Sequence, residues 1–361
     1  MDKILVYALS ENVGGVEEYV LNLSRYNSEH ECEYQYIVLG DHTPYMDELE
    51  KLGVTYYYIP KKRKVFANIK ALSNLFKKCR EECDVIYFNT SALVYPIPYL
   101  LALYYNYRIV LHSHLTGTTG ARKYIHYINR SWINKKCVRM MACSKMAGNW
   151  MFGNKNMKNV FVIPNAINLS NFSFCLSDRI RMRKELNLDN EFVIGHIGRL
   201  HSVKNQEFLI NMLSTAKRLN INYKLLLVGD GADERKLKQL SYNLNVNDRV
   251  IFYGRTDKPW TVMNCMDCFV MPSLVEGFPV TLIEAQANGL PCIVSDTITQ
   301  EVNVLGKVTF CSLKDDYSVW IKAIKDNAIP RYNSDQLKDL GYDVVDLERK
   351  VRNIILHGDC L

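Results

Sequence analysis

The sequence predicts an α/β protein made of two Rossmann-like domains, each built on a doubly wound parallel sheet. Short apolar strands alternate with helix-length segments along the whole chain, a pattern typical of parallel α/β architecture. The chain of 361 residues exceeds the size of one ordinary domain. The alternation also restarts after a polar segment at residues 169–183, which we interpret as the linker region. Two similar domains facing each other across a cleft are therefore expected.

The first domain is predicted over residues 1–168. Its strands are predicted at residues 4–8, 34–39, 55–59, 84–88, 108–111, 140–142 and 160–163. Helical segments between them include residues 16–26, 67–82 and 93–105. The first of these strands, in MDKILVYAL, lacks the basic start and small-residue cleavage site of a signal peptide.

The second domain is predicted over residues 169–335, and residues 336–361 form a helical segment. Strands are predicted at residues 192–197, 224–228, 250–253, 268–271 and 292–294, and helices near residues 205–219, 233–243 and 280–288. Residues 335–356 are expected to form one or two amphipathic helices. Open α/β sheets bind ligands at the carboxyl ends of their strands, so residues that follow strands are the candidates for a site.

The composition predicts a cytoplasmic protein. No window approaches the roughly 18–20 uninterrupted apolar residues of a spanning helix. Eleven cysteines, an odd number without framework spacing, indicate free thiols in a reducing compartment. We interpret Cys265 and Cys268, the one CxxC spacing, as ordinary buried residues.

The positive charge is confined to one part of the first domain. Residues 1–60 hold 3 Lys and Arg against 11 Asp and Glu, whereas residues 61–158 hold 18 against 3. Tyr124, Tyr127, Trp132 and Trp150 are interleaved with the charges from Arg122 to Lys158. A solvated face, a nucleic-acid surface and contact with anionic lipid all fit such a run, but no nucleic-acid-binding motif is present. A solvated face and contact with anionic lipid therefore remain as the two interpretations of this basic stretch.

The strongest local signal is EGFPVTLIE at residues 276–284, which follows a predicted strand. Pro279 suits the start of a helix, so the first turn presents backbone N–H groups to a diphosphate or to sugar oxygens. Glu276 in the loop and Glu284 on the helix can each accept hydrogen bonds from vicinal hydroxyls. The alternative is that Glu276 caps the helix and Glu284 is a solvated helix residue.

A second constellation, Gly198, Arg199 and Lys204, comes directly after the predicted strand at residues 192–197. Arg199 can bind two oxygens at once and Lys204 adds a point charge, which suits a diphosphate. Surface cations at a helix start are the alternative, although cations there oppose the helix dipole.

Further candidates follow other strands. Gly14 and Gly15 open a helix and could present N–H groups to a phosphate, or could simply form a tight turn. His112 and His114 end a strand; we expect them to point to opposite sides, so that at most one faces the cleft. Weaker signals are glycines after strands, where main-chain groups could contact a nucleobase: Gly229, Gly254 and the adjacent Arg255.

The residues from Glu276 to Glu284 resemble the E-x7-E motif of the retaining GT-B glycosyltransferases grouped as family 4. The stretches VIPNAIN, IGRLHSVKNQ, LLVGDGADERKL, VIFYGR and PSLVEGFPVTLIEAQANGLP resemble segments of that family, in its order. With the N-terminal glycine pair, the resemblance covers nearly the whole chain. It is strongest for bacterial capsular and exopolysaccharide enzymes, which often carry an HSH at the His112 position and a DTITQEV-like stretch, here at residues 296–302.

The resemblance implies roles for the candidate residues. Glu276 would contact the donor sugar, and Arg199 and Lys204 the diphosphate, with His114 rather than His112 facing the reacting sugar. These would be the catalytic residues. The remaining donor-binding residues would be Gly14, Gly15, Gly198, Gly229, Gly254, Arg255, Gly277, Phe278, Pro279, Val280 and Glu284, with Glu284 on the ribose.

The resemblance also implies the GT-B fold, with the first domain binding the acceptor, the second binding the nucleotide-sugar donor and the last helix crossing back to the first domain. The reaction would retain configuration, need neither metal nor cofactor, and use a UDP-sugar in preference to a GDP-sugar. A lipid-linked saccharide is the expected acceptor, in capsular, exopolysaccharide or O-antigen synthesis. The basic stretch would dock the enzyme on the inner face of the cell membrane. A GT-B nucleotide-sugar epimerase and a non-catalytic partner subunit are the alternatives.

Overall fold

The computed structural model of the chain describes residues 1–11, 14–27, 31–115, 117, 120–276 and 278–358. The described residues form two compact units. Unit 1 comprises Met1–Ala166 together with the chain from Asp343 onward, and unit 2 comprises Ile167–Tyr342.

Unit 1 is built on a seven-stranded sheet in the order β3-β2-β1-β4-β5-β6-β7, with all neighbouring strands parallel. The strands are β1 Asp2–Ser10, β2 Cys32–Leu39, β3 Tyr56–Ile59, β4 Val85–Thr90, β5 Arg108–Ser113, β6 Cys137–Ala142 and β7 Val160–Val162. Every strand predicted for this part of the chain is present. The helices between them are α1 Gly15–Arg25, α2 Met46–Lys51, α3 Val65–Cys79, α4 Ile97–Tyr104, α5 Ala121–Ile133 and α6 Lys145–Phe152.

Successive residues of β1 enter different cores. Ile4 and Val6 pack into the core on one face of the sheet, and Leu5 and Tyr7 into the core on the other. A strand whose two faces are both covered by helices needs an unbroken apolar run, because alternate side chains point to opposite faces. This requirement explains why the first strand reads as continuously hydrophobic.

Unit 2 contains a six-stranded sheet in the order β10-β9-β8-β11-β12-β13, again with all neighbours parallel. Its strands are β8 Phe192–Ile197, β9 Tyr223–Val228, β10 Val250–Gly254, β11 Cys268–Met271, β12 Cys292–Ser295 and β13 Val308–Cys311. Its helices are α7 Leu169–Phe172, α8 Leu176–Glu185, α9 Gln206–Arg218, α10 Glu234–Asn243, α11 Pro259–Met263, α12 Val280–Ala287, α13 Tyr317–Asp326 and α14 Gln336–Asp339. The predicted strands of this part are confirmed, and the edge strand β13 is additional.

The polar segment at residues 169–183 is not a plain linker, because it contains α7 and most of α8. Arg179 Nη2 lies 2.6 Å from Asp267 Oδ1, and Arg183 Nη1 lies 3.3 Å from Asp267 Oδ2. Met182, on the same helix, is buried. Paired arginines thus make a polar sequence part of the packed unit.

The helix α15 Val344–Leu356 belongs to unit 1 although it is last in the chain, as the fold prediction required. Its apolar side enters the core that covers one face of the unit 1 sheet. Tyr34 Oη, on β2, donates a hydrogen bond to Glu348 Oε1 at 2.9 Å. The end of the chain therefore completes the unit with which the chain begins.

Cys265 and Cys268 are fully buried, as predicted, and their thiols lie in the interior of unit 2. Within the described ranges, no helix combines the length and the apolar character needed to cross a bilayer.

Candidate functional site

The ends of β8 and β11 bring two of the predicted catalytic residues together in unit 2. Lys204 Nζ lies 2.6 Å from Glu276 Oε1 in a hydrogen-bonded ion pair. Both side chains remain partly exposed, at 26% for Lys204 and 12% for Glu276, so a ligand can reach the pair. The two residues are 72 positions apart in the chain, and only the sheet order places them side by side.

Two further contacts hold the loops that carry this pair. Leu274 N donates to Val203 O at 2.8 Å, and Asn205 Nδ2 donates to Pro272 O at 3.1 Å. Asn205 has φ of +57°, a left-handed conformation that asparagine tolerates better than most residues. The loop after β8 and the loop after β11 are thus fastened to each other, which fixes the position of Lys204 against Glu276.

Two arginines at strand ends of unit 2 are exposed. Arg199 follows β8 and Arg255 follows β10. Among the described residues, no carboxylate lies within 4.0 Å of either guanidinium. Both are available to an anionic ligand, and Arg199 is five residues from Lys204 in the same loop.

Glu284 lies on α12 with a half-buried side chain. Burial raises the pKa of its carboxyl to about 7. A carboxylate held in a poorly hydrated site gains from hydroxyl donors, so the position suits hydrogen bonding to a diol.

The residues between Glu276 and Glu284 contribute mainly backbone. Pro279 caps the N-terminus of α12, one position before the helix begins at Val280. The side chains of Phe278 and Val280 pack on the unit 2 core. The groups that this segment offers to a phosphate are the main-chain N–H groups at the helix start. Gly277 lies outside the described residues.

The predicted glycines of unit 2 hold strand ends together. Gly198 N donates to Val228 O at 2.9 Å, and Gly229 N donates to Gly254 O at 2.8 Å. A Cβ on Gly229 would lie 2.2 Å from Gly198 O, and the φ of Gly229 is +133°. The N–H groups of Gly198 and Gly229 are therefore already used within the protein. Gly254, with open space at its Cα, is the accessible member of the three.

In unit 2, two buried polar side chains near the Lys204–Glu276 pair were not singled out from the sequence. Ser273, between β11 and Glu276, is fully buried, and its hydroxyl has no hydrogen-bond partner among the described residues. His196, in β8, is also fully buried, and burial lowers its pKa to about 4. His196 Nδ1 pairs with Val270 O at 2.9 Å, which identifies it as a structural residue.

In unit 1, His112 and His114 lie on the same side of β5, so the prediction that they point apart is wrong. Residues two apart in an extended strand share a face. Their ring centroids are 4.2 Å apart. His112 forms a 2.5 Å hydrogen bond with Tyr87 Oη through Nδ1, and His114 forms a 2.8 Å hydrogen bond with Asn89 Oδ1 through Nε2.

Both imidazoles are buried, and burial is the main cause that lowers both pKa values. The pKa of His112 falls well below its usual range, and that of His114 falls to about 3. His114 is therefore neutral at physiological pH and can act through a hydrogen bond but not as an imidazolium.

The start of α1 carries a carboxylate beside the predicted glycines. Glu17 is nearly buried and accepts a 2.8 Å hydrogen bond from Ser10 Oγ. A Cβ on Gly14 would lie 2.7 Å from Glu17 Oε2, whereas a Cβ on Gly15 would meet open space. Gly14 thus makes room for Glu17, and only Gly15 leaves space for a ligand at this helix end.

A cavity of about 490 Å³ opens at the carboxyl ends of β1 and β4 in unit 1. Its wall includes Glu17, Asn89, Lys62 and Arg122. Asn89 is 5% exposed, and its Nδ2 has no hydrogen-bond partner among the described residues, although its Oδ1 is held by His114. Burial and the nearby Arg122 charge lower the pKa of Lys62. The cavity offers a buried amide donor, a carboxylate and two cations to a polar ligand.

In the described part of the chain, no three His, Cys, Asp or Glu side chains come together as a group that could hold a metal ion.

Two Rossmann-like units built on parallel sheets are the architecture of the GT-B fold, and solved structures share it. HepE of Anabaena, solved in complex with UDP, superposes with a TM-score of 0.80 at 18% identity, over 98% of this chain and 99% of that one. A glycosyltransferase of Rickettsia africae gives a TM-score of 0.77 at 16% identity, over 98% and 94% of the two chains.

The chain belongs to the GT-B glycosyltransferases. The family described as Glycosyltransferase Family 4 matches residues 13–171, and Glycosyl transferases group 1 matches residues 178–311. EpsF of Bacillus subtilis (strain 168), named as a glycosyltransferase, is 31% identical over 349 residues, covering 92% of this chain and 90% of EpsF. An Escherichia coli enzyme named UDP-Gal:alpha-D-GlcNAc-diphosphoundecaprenol alpha-1,3-galactosyltransferase is 30% identical over 212 residues, 55% of this chain and 50% of that enzyme.

Proposed function

We propose that this glycosyltransferase moves a sugar, with retention of configuration, from a UDP-sugar to a lipid-linked saccharide in the synthesis of a capsule, exopolysaccharide or O-antigen. The observation that carries the proposal is the Lys204–Glu276 pair, with Arg199 in the same loop and Glu284 on the following helix. The names of EpsF and of the Escherichia coli galactosyltransferase support the polysaccharide setting. The UDP bound to HepE, which shares this fold, supports the choice of base.

Unit 2 is the proposed donor site. Arg199 and Lys204 would bind the diphosphate as charge-assisted partners, and the start of α12 would add main-chain donors. Glu284 would accept hydrogen bonds from the ribose. Glu276, once Lys204 turns to the phosphate, would accept hydrogen bonds from hydroxyls of the sugar.

The transfer step breaks the bond between the anomeric carbon and the diphosphate oxygen. The acceptor oxygen forms its bond to that carbon on the same face, and its proton passes to the departing phosphate. Arg199 and Lys204 would stabilise the negative charge that develops on the leaving group, the kind of electrostatic stabilisation that contributes most to many enzymes. We propose that these two cations make a metal ion and other cofactors unnecessary, and that activity survives EDTA.

The cavity of unit 1 is the proposed acceptor site. Asn89 and Glu17 can donate to and accept from sugar hydroxyls. Lys62 and Arg122 suit a phosphate on the same acceptor, which supports a lipid-linked substrate. His114, neutral and bonded to Asn89, would orient that amide. Such an acceptor would place the protein at the inner face of the cell membrane, where the basic stretch of unit 1 would meet anionic lipid.

The decisive experiment combines nucleotide binding with transfer. UDP and GDP, with their sugars, are screened by thermal shift, and transfer to a lipid-linked acceptor is then measured for Arg199→Ala and Lys204→Ala. Each variant should lose about 100-fold or more in turnover with an unchanged thermal midpoint in the absence of nucleotide. Lys325→Ala, an exposed lysine on α13, is the matched control. Normal turnover in both site variants would remove the diphosphate assignment.

A further inference from the structure

Arg199 and Lys204 share a loop, but only the lysine has a partner for its side chain. Lys204 Nζ is paired with Glu276, whereas no described side chain bonds the Arg199 guanidinium. The direction in which the arginine leaves the loop is therefore set by its own main chain. That main chain must be fixed, because a displacement of about 1 Å in a catalytic site can cost about 100-fold in rate.

Gln206, the first residue of α9, holds the main chain of Arg199. Its Nε2 donates a 2.9 Å hydrogen bond to Arg199 O. The N–H group of the same peptide unit, on Leu200, donates to Asp230 O at 2.7 Å. Both polar ends of the peptide unit that follows Arg199 are thus fixed, one from α9 and the other from the loop after β9.

His196 fixes which way the Gln206 amide faces. A carbonyl oxygen can only accept, so the 2.9 Å bond between His196 Nδ1 and Val270 O assigns the imidazole proton to Nδ1. His196 Nε2 is then an acceptor, and Gln206 Nε2 lies 3.3 Å from it. The reversed amide would turn Gln206 Oε1 toward two acceptors, His196 Nε2 and Arg199 O. One NH2 group therefore donates to His196 and to Arg199 together.

Both side chains are interior parts of unit 2. Gln206 is 1% exposed, and His196 is fully buried. Burial, which lowers the pKa of His196 to about 4, keeps the imidazole neutral at physiological pH, as the hydrogen bonds require. Helix α9 is itself anchored in the core of unit 2 by Leu209 and Met212. The amide therefore reaches the Arg199 loop from a rigid element.

A buried glutamine can also serve only to satisfy carbonyl groups, and unit 2 contains an example. Gln286, on α12, is fully buried, and its Nε2 donates to Leu282 O at 3.0 Å and to Val302 O at 2.8 Å. Neither of these partners carries a group assigned to the donor site. Gln206 differs because one of its two partners is the main chain of the proposed catalytic arginine.

We propose that Gln206, oriented by His196, is a positioning residue that holds Arg199 for the diphosphate leaving group. Gln206 acts through the arginine and touches neither the donor nor the acceptor. The inference rests on the proposed function, which assigns Arg199 to the diphosphate. It adds a buried support for the step in which the bond to the diphosphate oxygen breaks and negative charge collects on that oxygen.

Gln206→Met keeps the length of the side chain and removes both donations. We expect kcat for transfer to fall by about 10- to 100-fold, because Arg199 can then move away from the developing charge. The affinity for UDP should change by about threefold or less, because a mobile guanidinium still reaches the diphosphate of the ground state. Initial rates at saturating donor and calorimetry with UDP measure the two effects.

Gln286→Met is the matched control, because it also removes two donations from a buried glutamine of unit 2. It should lower the thermal midpoint and leave kcat unchanged. A kcat for Gln206→Met equal to that of the natural protein would overturn the proposal.

Double variants separate positioning from a general loss of structure. In the Arg199→Ala background, Gln206→Met should cost no further rate, since the residue that it positions is gone. In the Lys204→Ala background, it should cost the same factor as in the natural protein. Rates are measured with enzyme in excess over donor, so that slow variants are resolved. The same factor in both backgrounds would overturn the proposal.

Two variants of His196 test the orientation of the amide, and they also serve if Gln206→Met does not fold. The longer side chain in His196→Gln can place an acceptor near the position of Nε2, whereas His196→Asn reaches only the position of Nδ1. We expect kcat within about twofold of the natural protein for His196→Gln and a loss of about three- to tenfold for His196→Asn. Equal kcat values in the two variants would overturn the role of His196.

The same experiments distinguish a failure of this inference from a failure of the proposed function. The rate of the natural protein in Gln206→Met, beside a slow Arg199→Ala, would overturn the positioning role alone. The rate of the natural protein in Arg199→Ala would overturn the diphosphate assignment itself, and the positioning role with it.

Discussion

Lys204 and Glu276 neutralise each other in the structure, at 2.6 Å. The same lysine is the proposed partner of the donor diphosphate, so the glutamate competes with the donor for it. Loss of the Glu276 charge should therefore affect binding and transfer in opposite directions.

We expect Glu276→Gln to bind UDP about two- to fivefold more tightly, because a partly exposed ion pair is worth up to about 1 kcal/mol. Transfer should fall by about 100-fold, because the sugar loses its carboxylate partner. Calorimetry with UDP and initial rates check the two effects. Glu234→Gln, which breaks the 2.6 Å pair with Lys238 on α10, is the control and should change neither. Weaker UDP binding in Glu276→Gln would contradict the competition.

The pKa of Glu284, raised to about 7 by burial, gives a stability effect with a definite sign. An unfolded carboxyl ionises near pH 4.5, so between pH 4.5 and 7 the folded protein holds a proton that the unfolded chain has lost. The folded state therefore loses stability as pH rises through this window, and the loss is complete above about pH 7. The substitution Glu284→Gln removes this pH-dependent loss of stability, because glutamine does not ionise.

The variant should accordingly be more stable than the natural protein at about pH 8, by about 1–3 kcal/mol, and equally stable below about pH 4.5. Thermal unfolding without nucleotide measures this as a rise in Tm of about 2–8 °C at about pH 8. A gain that is the same at about pH 5 and about pH 8 would show that the carboxyl does not titrate in this range.

At the level of secondary structure, the two glycines at the start of α1 have different roles: Gly14 makes room for Glu17, whereas Gly15 has open space beside it. Gly15 is the first residue of the helix, and a Cβ there meets nothing within 4 Å. Gly15→Ala should stabilise the protein by about 0.4–1 kcal/mol, because the unfolded chain loses freedom. If the donor approaches this helix end, the added methyl group should also raise the KM for the donor. Urea unfolding and donor titration check the two effects, and a donor KM equal to that of the natural protein would exclude Gly15 from the donor site.

The elements that the sequence predicts well are those whose pattern is local. Buried parallel strands such as β1 and β8 are continuous apolar runs, and both lie where the pattern indicates. The helix α8 is polar, and it is part of unit 2 because Arg179 and Arg183 pair with Asp267, far away in sequence. The short edge strand β13 has only one neighbour and a weak apolar signal. Tertiary partners decide such elements, and a local pattern cannot show them.

The candidate site shows the same limit. The pairing of Lys204 with Glu276 follows from the parallel sheet order, because both residues follow central strands. Glu17 and Asn89 escaped notice because each reads as an ordinary residue of a helix or a strand. Only their burial and the unused Asn89 Nδ2 mark them.

At the scale of the whole molecule, the stability of unit 1 depends on a helix that follows unit 2 in the chain. Ile354 on α15 is fully buried in the unit 1 core, whereas Val345 on the same helix is 57% exposed. Ile354→Ala should destabilise unit 1 by about 2–5 kcal/mol. Val345→Ala should stay within about 0.5 kcal/mol.

Unfolding followed with and without UDP should assign this loss to unit 1, because UDP bound at the proposed donor site stabilises unit 2 by its binding free energy. In Ile354→Ala, the unfolding transition of unit 1 should then lie further from that of unit 2 than it does in the natural protein. A shift of the UDP-dependent transition by the same amount would show that the two units unfold together.

The place of α15 in the chain also sets an order of events on the ribosome. About 176 residues are made between Ala166 and Asp343, which at roughly 5–20 residues per second takes about 9–35 s. During that time the nascent first unit lacks α15, and the apolar groove that Leu347 and Ile354 later fill is bare. The second unit is complete before the first. We therefore expect a newly made chain to expose an apolar surface of the kind that chaperones bind until α15 has emerged.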